Sequence, residues 1–218
     1  MRDELRKASP FRVIPAAGDL DFYPPSFHSE TYMNNDSITW EHAYSILSAA
    51  EKTSHPDVIC AAIARLGKPF DTVQIHRAGS VVSQYLHHDN FLVRYQAIWF
   101  LGCWGKLVEY LPLIIQSAQS DAEMDNRAFA ARCAGQILKS HQDANASSAL
   151  LRMAISEEEE PDIRLSAYSA LLYAFYGTDA TSRAREFEPT GNKSLADFDL
   201  TWLKSLRKWA GEVPLKPT

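Results

Sequence analysis

The chain contains 218 residues, of which 46% are hydrophobic and 22% charged, and its formal net charge is −5 at pH 7. These are ordinary proportions for a soluble globular protein. The negative balance argues against a general nucleic-acid binder, which would usually present a basic stripe, and it is compatible with a basic protein partner. No apolar stretch is long enough to cross a bilayer, and the opening residues lack the apolar core of a secretory signal. We therefore expect a cytoplasmic protein without a membrane attachment.

Residues 1–36 differ from the rest of the chain. Four prolines interrupt any helix there, while five aromatic side chains make the segment too apolar for ordinary disorder. We predict an irregular, aromatic-rich N-terminal arm that lies on the helices following it. The alternative is an N-terminus that orders only on contact.

Residues 37–176 have the pattern of paired helices. The first helix is predicted to start near Asp36 or Ser37, either of which could cap it, and the second to end at Gly67. Three further pairs are predicted at 71–87 with 91–104, 108–120 with 125–139, and 145–156 with 162–176. Residues 177–218 are expected to form an irregular linker and a last helix over 195–210, which would cap the open end.

A motif recurs in the second helix of each pair. Its reference positions, 33 to 37 residues apart, are Ile59, Arg94, Arg127 and Arg164. Three residues later stands Ala62, Ala97, Ala130 or Ala167, seven later Leu66, Leu101, Ala134 or Leu171, and eight later Gly67, Gly102, Gly135 or Leu172. These positions cluster on one side of a helix, so we expect them in the core. A period of this size indicates a helical-repeat solenoid.

The motif resembles the HEAT repeat, in the short variety called PBS-lyase HEAT-like, most closely in the segment FLVRYQAIWFLG at residues 91–102. The resemblance covers residues 37–176 and implies an all-α, right-handed α–α superhelix of about four helix pairs. It also implies that the reference arginines bridge to aspartates of the same or the next repeat. The expected ladder consists of Arg94, Arg127 and Arg164 with Asp125 and Asp162.

The opposite side of the second helices is unusually apolar for a surface. In HEAT-like proteins this side lines a concave groove, and aromatic and arginine side chains dominate binding hot spots. The candidate partner-binding residues there are Gln96, Trp99, Phe129, Arg132, Gln136 and Tyr173. Two interpretations remain open: a partner occupies the groove, or the N-terminal arm or the C-terminal helix covers it.

The turns inside the pairs are acidic and should stack along one edge. Single aspartates before a helix are ordinary capping chemistry. The run Glu157, Glu158, Glu159 and Glu160 is more than capping requires, and it would attract a basic partner. The alternative is a solvated charged loop.

Catalytic and metal-binding patterns are absent from the sequence. It has no HExxH, GxSxG, Walker-type or GxGxxG motif, and His87, His88 and Asp89 diverge too much in a helix end to predict a metal site. The cysteines Cys60, Cys103 and Cys133 are odd in number and form no CxxC pair, which predicts reduced, buried thiols in a reducing compartment. We expect no catalytic residue, no metal and no cofactor.

The sequence thus favours a non-catalytic protein–protein interaction module that binds through its concave groove and acidic turn edge. It could serve as an adaptor, or as an inhibitor or immunity protein for a basic partner. The competing hypothesis is a HEAT-like enzyme, either of the alkylpurine DNA glycosylase type or similar to a bilin lyase. The absence of a basic surface counts against an enzyme that acts on nucleic acid, because contacts to phosphates supply most of the non-specific affinity for nucleic acid.

Overall fold

The computed structural model describes residues 38–49, 55–67, 72–176, 180–188 and 191–207. The arm predicted at residues 1–36 lies outside these ranges. Within them the chain forms helices joined by turns and loops, with no strand. The predicted all-α class is therefore confirmed.

The first two helices pack against each other. Helix α1 spans Trp40–Ser48 and is capped by Thr39, whose side chain accepts a hydrogen bond from the His42 N–H. Helix α2 spans Pro56–Leu66 and ends at Gly67. Proline suits the first position of α2 because that N–H would have no partner in the helix.

The next pair changes helical geometry along its length. Helix α3 covers Thr72–Val82 and continues as a 3₁₀ segment over Ser83–His87. Helix α4 covers Phe91–Ile98 and continues as a π-helical segment over Trp99–Trp104. The predicted helices at 71–87 and 91–104 thus lie in the right places, but neither is a regular α-helix throughout. A π-helical turn rotates the following side chains relative to a regular helix.

The last two predicted pairs agree closely with the structure. A 3₁₀ turn at Val108–Tyr110 leads into α5, Leu111–Ser120, which packs on α6, Met124–Leu138. Helix α7, Ala144–Ile155, packs on α8, Pro161–Phe175. Helices α6 and α8 also lie against each other. The second helices of successive pairs are therefore neighbours.

The C-terminal segment contains a helix that the sequence did not reveal. Helix α9, Ala180–Glu186, lies against α8 in a stretch predicted to be irregular. A 3₁₀ turn at Leu195–Asp197 precedes α10, Leu200–Arg207, which contacts α7. The predicted last helix over 195–210 is thus interrupted, and its final residues fall outside the described chain.

Tyr168 of α8 anchors this C-terminal segment. Its ring stacks on Phe198 with centroids 4.1 Å apart and meets Phe187 edge-on at 4.6 Å. Its hydroxyl oxygen accepts a hydrogen bond of 3.0 Å from the Asp199 N–H. An aromatic cluster therefore attaches the segment after α8 to the paired helices.

The recurring small residues allow the second helices to approach closely. All four motif alanines are fully buried. A Cβ added to Gly102 would stand 2.6 Å from the Cys133 Cβ, and one added to Gly135 would stand 2.6 Å from the Ala170 Cα. The alanine, leucine and glycine positions of the motif therefore lie in the core, as predicted, whereas Arg127 and Arg164 at the reference position are only partly buried.

The prediction of three reduced thiols is wrong for two of them. Cys103, in the π-helical segment, and Cys133, in α6, form a disulfide with their Cα atoms 4.8 Å apart. The close approach at Gly102 brings the two cysteines together, which spacing in the sequence could not reveal. Cys60 is a free, buried thiol, and burial, reinforced by Asp57, raises its pKa to about 12.

Candidate interaction site

Most side chains predicted to line an open groove are buried. Gln136 is partly buried, and the exposed fraction is below a tenth for the other five, namely Gln96 (3%), Trp99 (7%), Phe129 (1%), Arg132 (6%) and Tyr173 (2%). The structure therefore does not present these residues as an open binding surface.

The reason is that neighbouring second helices pack side by side. The Tyr95 ring of α4 stacks on Phe129 of α6 with centroids 4.3 Å apart. The Trp99 ring lies against Gly67, where an added Cβ would stand 3.0 Å from it. A helical wheel assigns one side of a helix to the core and the opposite side to solvent. Each second helix also packs against the second helix of a neighbouring pair, and this second contact buries side chains that the wheel assigns to solvent.

The C-terminal segment covers part of the same surface. The Tyr173 hydroxyl donates a 3.3 Å hydrogen bond to Glu188 Oε1, which follows α9. Burial, with a further contribution from Glu188, raises the pKa of Tyr173 to about 12. For Tyr173, coverage from within the chain is therefore the interpretation that holds.

Arg132 is a buried cation among the residues that were predicted to line the groove. Its Nη1 donates a 3.0 Å hydrogen bond to Ser166 Oγ, and its guanidinium carbon lies 5.6 Å from the Phe129 ring centroid. Its Nε has no acceptor among the residues that the structure describes. Among the ion pairs of the described chain, none involves Arg132. Although Asp125 is exposed, desolvation by the surrounding protein raises the pKa of its carboxyl, and the attraction of Arg132 opposes this rise. Arg132 is thus an interior residue whose positive charge is only partly balanced by its neighbours.

Arg94 and Asp121 join two successive helix pairs. Arg94 Nε donates to Asp121 Oδ2 at 2.9 Å and Nη2 donates to Oδ1 at 2.8 Å. Arg94 Nη1 also donates to the carbonyl oxygens of His88 and Asp89, at 2.9 and 3.0 Å. Burial alone would raise the pKa of Asp121, but the hydrogen bonds from Arg94 and from the Glu123 N–H hold it below its usual value. This is a bidentate, charge-assisted contact with little exposure to solvent.

The other two reference arginines behave differently from each other. Arg127 Nη1 lies 3.7 Å from Glu159 Oε2, in the turn of the next pair. Arg164 Nε donates to the Ala154 carbonyl oxygen at 3.3 Å, and no carboxylate pairs with it in the described ranges. Two of the three arginines therefore reach the turn of the following pair.

The carboxylates of this ladder are not the predicted ones. Asp121 and Glu159 accept the arginines, and Asp125 and Asp162 form none of the ion pairs seen in the described chain. Side chains in a helix point back towards its N-terminus, so each arginine reaches the turn between the two helices of the next pair. Asp125 and Asp162 instead occupy the first turns of α6 and α8, where a negative charge favours the helix dipole.

Several acidic residues of these turns are exposed, and we refer to them together as the acidic turn edge. The ladder contacts tie the turn at 87–90 to that at 121–123, and tie α6 to the turn at 156–160. Glu159 is partly buried under Arg127 and is not counted in the acidic turn edge. The six members of the edge are exposed and take no part in the ion pairs of the described chain. The members are Asp89, Glu123, Asp125, Glu157, Glu158 and Glu160.

A cavity opens at this edge between the turn at 87–90 and the end of α5. Its volume is about 350 Å³, and its lining includes His87, His88, Asp89, Arg94, Ser117 and Asp121. His88 Nδ1 accepts a 3.0 Å hydrogen bond from the Asn90 N–H, so the neutral ring carries its proton on Nε2. Ser117 is only 8% exposed, and its hydroxyl appears in none of the hydrogen bonds found in the described chain. The sequence did not single out Ser117, because serine within an amphipathic helix carries no distinctive signal.

Other kinds of site have less support. In the described residues, no group of three or more histidine, cysteine, aspartate or glutamate side chains is placed to hold a metal ion. None of the described helices combines the length and apolarity that crossing a bilayer requires. An exposed pair, His76 Nδ1 and Glu109 Oε1 at 2.6 Å, links α3 to the turn before α5 and was not expected from the sequence.

Comparisons with known proteins add no assignment. No family model, curated protein sequence or solved structure matches the chain.

Proposed function

We propose that this protein is a non-catalytic interaction module that binds a basic protein partner through its acidic turn edge. We further propose that its paired helices form a HEAT-like solenoid of about four repeats. Two features support that architecture: successive second helices lie side by side, and Arg94 and Arg127 each reach forward to the next turn. Such an array presents its turns as one continuous edge.

The observation that supports the proposal is a set of exposed carboxylates that take part in no ion pair of the described chain. The two arginines beneath the edge are neutralised by inner carboxylates, Arg94 by Asp121 and Arg127 by Glu159. The electrostatic field around the acidic turn edge therefore comes from its six exposed carboxylates. Clustered charge of one sign attracts an oppositely charged protein and speeds its encounter.

The concave groove no longer has a part in this function. All but Gln136 of the residues that would have contacted a partner there are interior, including the Arg132 that a nucleic-acid enzyme would need. An adaptor and an inhibitor of a basic toxin would use the same acidic edge. The partner we propose is defined by its positive charge.

The test compares two variants that lose the same kind of charge at different places. One carries Glu157→Gln, Glu158→Gln and Glu160→Gln on the acidic turn edge. The control removes two charges by Glu41→Gln and Glu186→Gln, at exposed positions that lie away from the edge in α1 and α9. Protein captured from native lysate by the unmodified chain is identified and then titrated calorimetrically against all three forms.

We expect the edge variant to bind about tenfold more weakly, since each exposed ion pair contributes about 0.5 kcal/mol. The loss should shrink at high salt, because screening already weakens these contacts. Equal affinity of the edge variant and the control would remove the acidic turn edge from consideration.

A further inference from the structure

We infer that the cavity at the acidic turn edge is a socket for an arginine side chain of the basic partner, an assignment that rests on the proposed function. Its volume of about 350 Å³ is at the lower end of ligand pockets, which span about 300 to 1,000 Å³. A space of that size is large enough for one long side chain.

The charges around the cavity favour a cation. Arg94 lines it, but the Asp121 carboxylate and two carbonyl oxygens engage this guanidinium. Asp121, Glu123 and Asp89 all act electrostatically on Arg94, so three carboxylates surround one guanidinium. The C-terminal end of α5, capped by Asp121, adds the partial negative charge of its carbonyl groups. An incoming anion would meet repulsion, whereas an incoming cation would meet attraction.

Two polar groups are in place to hold a guanidinium. The Ser117 hydroxyl lines the cavity from a residue that is more than nine-tenths buried, and it has no hydrogen-bond partner in the described chain. The Asp89 carboxylate lies at the exposed rim, outside the ion pairs of the described residues. A serine hydroxyl oxygen can accept a hydrogen bond from an N–H of a guanidinium that enters the cavity.

Arginine suits this lining better than lysine. A guanidinium offers five donors in a planar fork, so it can bond a carboxylate and a hydroxyl together. It can also stack on a flat ring, and the His88 ring, fixed by its bond to the Asn90 N–H, is part of the lining. An ammonium group lacks both the fork and the flat face.

The experiment uses nona-arginine and nona-lysine peptides, which carry equal charge. Calorimetric titration of the full chain should give at least tenfold tighter binding of nona-arginine. Ser117→Leu, which fills the cavity, and Asp89→Asn should each lower nona-arginine affinity to the nona-lysine level. Gln119→Leu is the matched control, since it adds the same side chain to an exposed position of α5 outside the lining.

The outcomes separate the socket from the edge. If the Glu157, Glu158 and Glu160 variant weakens both peptides while Ser117→Leu leaves the arginine preference intact, the socket is wrong and the proposed function stands. If the edge variant changes the affinity for neither peptide, the proposed function fails as well. Should Ser117→Leu not fold, Asp89→Asn and the shift of the His88 ring resonances on adding nona-arginine decide the matter, since Asp89 is exposed. No His88 shift and an unchanged arginine preference would overturn the socket.

Discussion

Arg94 and Asp121 hold two successive helix pairs together through parallel hydrogen bonds of 2.9 and 2.8 Å, with side chains only 11% and 2% exposed. The same arginine also fixes two carbonyl groups of its own turn, at His88 and Asp89. One side chain therefore sets the spacing of two neighbouring turns and forms part of the cavity between them.

Asp121→Ala should lower the free energy of unfolding by about 3 kcal/mol, because it leaves a largely buried guanidinium without its counter-charge. Asp125→Ala is the comparison, since the sequence placed Asp125 in the ladder and the structure does not. It should cost less than about 1 kcal/mol, the usual value of a charge in the first turn of a helix. Urea unfolding measures both, and equal losses would contradict the ladder described above.

The contribution of Asp121 should also depend on pH. Its pKa is lowered in the folded chain, so its stabilising effect is complete above the unfolded value of about 4 and is lost as pH falls through the folded value. The difference in unfolding free energy between the unmodified chain and Asp121→Asn should therefore narrow below pH ~4. Denaturant titrations at pH 6, 4 and 3 test this, and a difference that grows on acidification would show that the sign is wrong.

Reduction of the Cys103–Cys133 disulfide should destabilise the chain. A cross-link between residues 30 positions apart restricts the unfolded chain, and its loss costs about 2 to 4 kcal/mol. Thermal unfolding with and without a reducing agent measures the effect. Cys60→Ala should leave the sensitivity to reductant unchanged, whereas Cys103→Ala should abolish it. If the melting temperature of the unmodified chain does not change on adding the reducing agent, the result would contradict the cross-link.

Arg132→Met should be neutral or stabilising, by up to about 3 kcal/mol, because it replaces a buried cation that forms no ion pair within the described chain by an apolar side chain of similar length. Chemical unfolding provides the measurement, and the captured partner should bind the variant normally. Loss of partner binding with an intact fold would restore the groove as a binding surface.

The sequence predicted the elements whose signals are local. Helices α6 and α8 were placed within one or two residues, since their small-residue spacing and flanking turns suffice to locate them. It could not predict α9, whose seven residues carry no clear apolar stripe. The Cys103–Cys133 disulfide could not be predicted for another reason, because it depends on how two helices that are distant in sequence approach each other at Gly102.

The candidate site was predicted only in part. The acidic turns were recognised, and most of their carboxylates are exposed, but Asp121 and Glu159 were not assigned as ladder partners. That assignment depends on the direction in which arginine side chains leave their helices. Burial of Trp99 and Phe129 was missed because a helical wheel contains no information about a second neighbouring helix.

The arginine contacts give the array a direction. Arg94 and Arg127 each extend a cation forward to an anion of the following pair, and Arg164, without such a carboxylate in the described chain, turns to the Ala154 carbonyl of its own pair. The pair formed by α5 and α6 thus carries an anion, Asp121, towards the preceding pair and a cation, Arg127, towards the following one. A duplicated copy of residues 111–138 inserted in register would bring both halves of its junctions with it. Lengthening by whole units is therefore open to this architecture without the invention of a new interface.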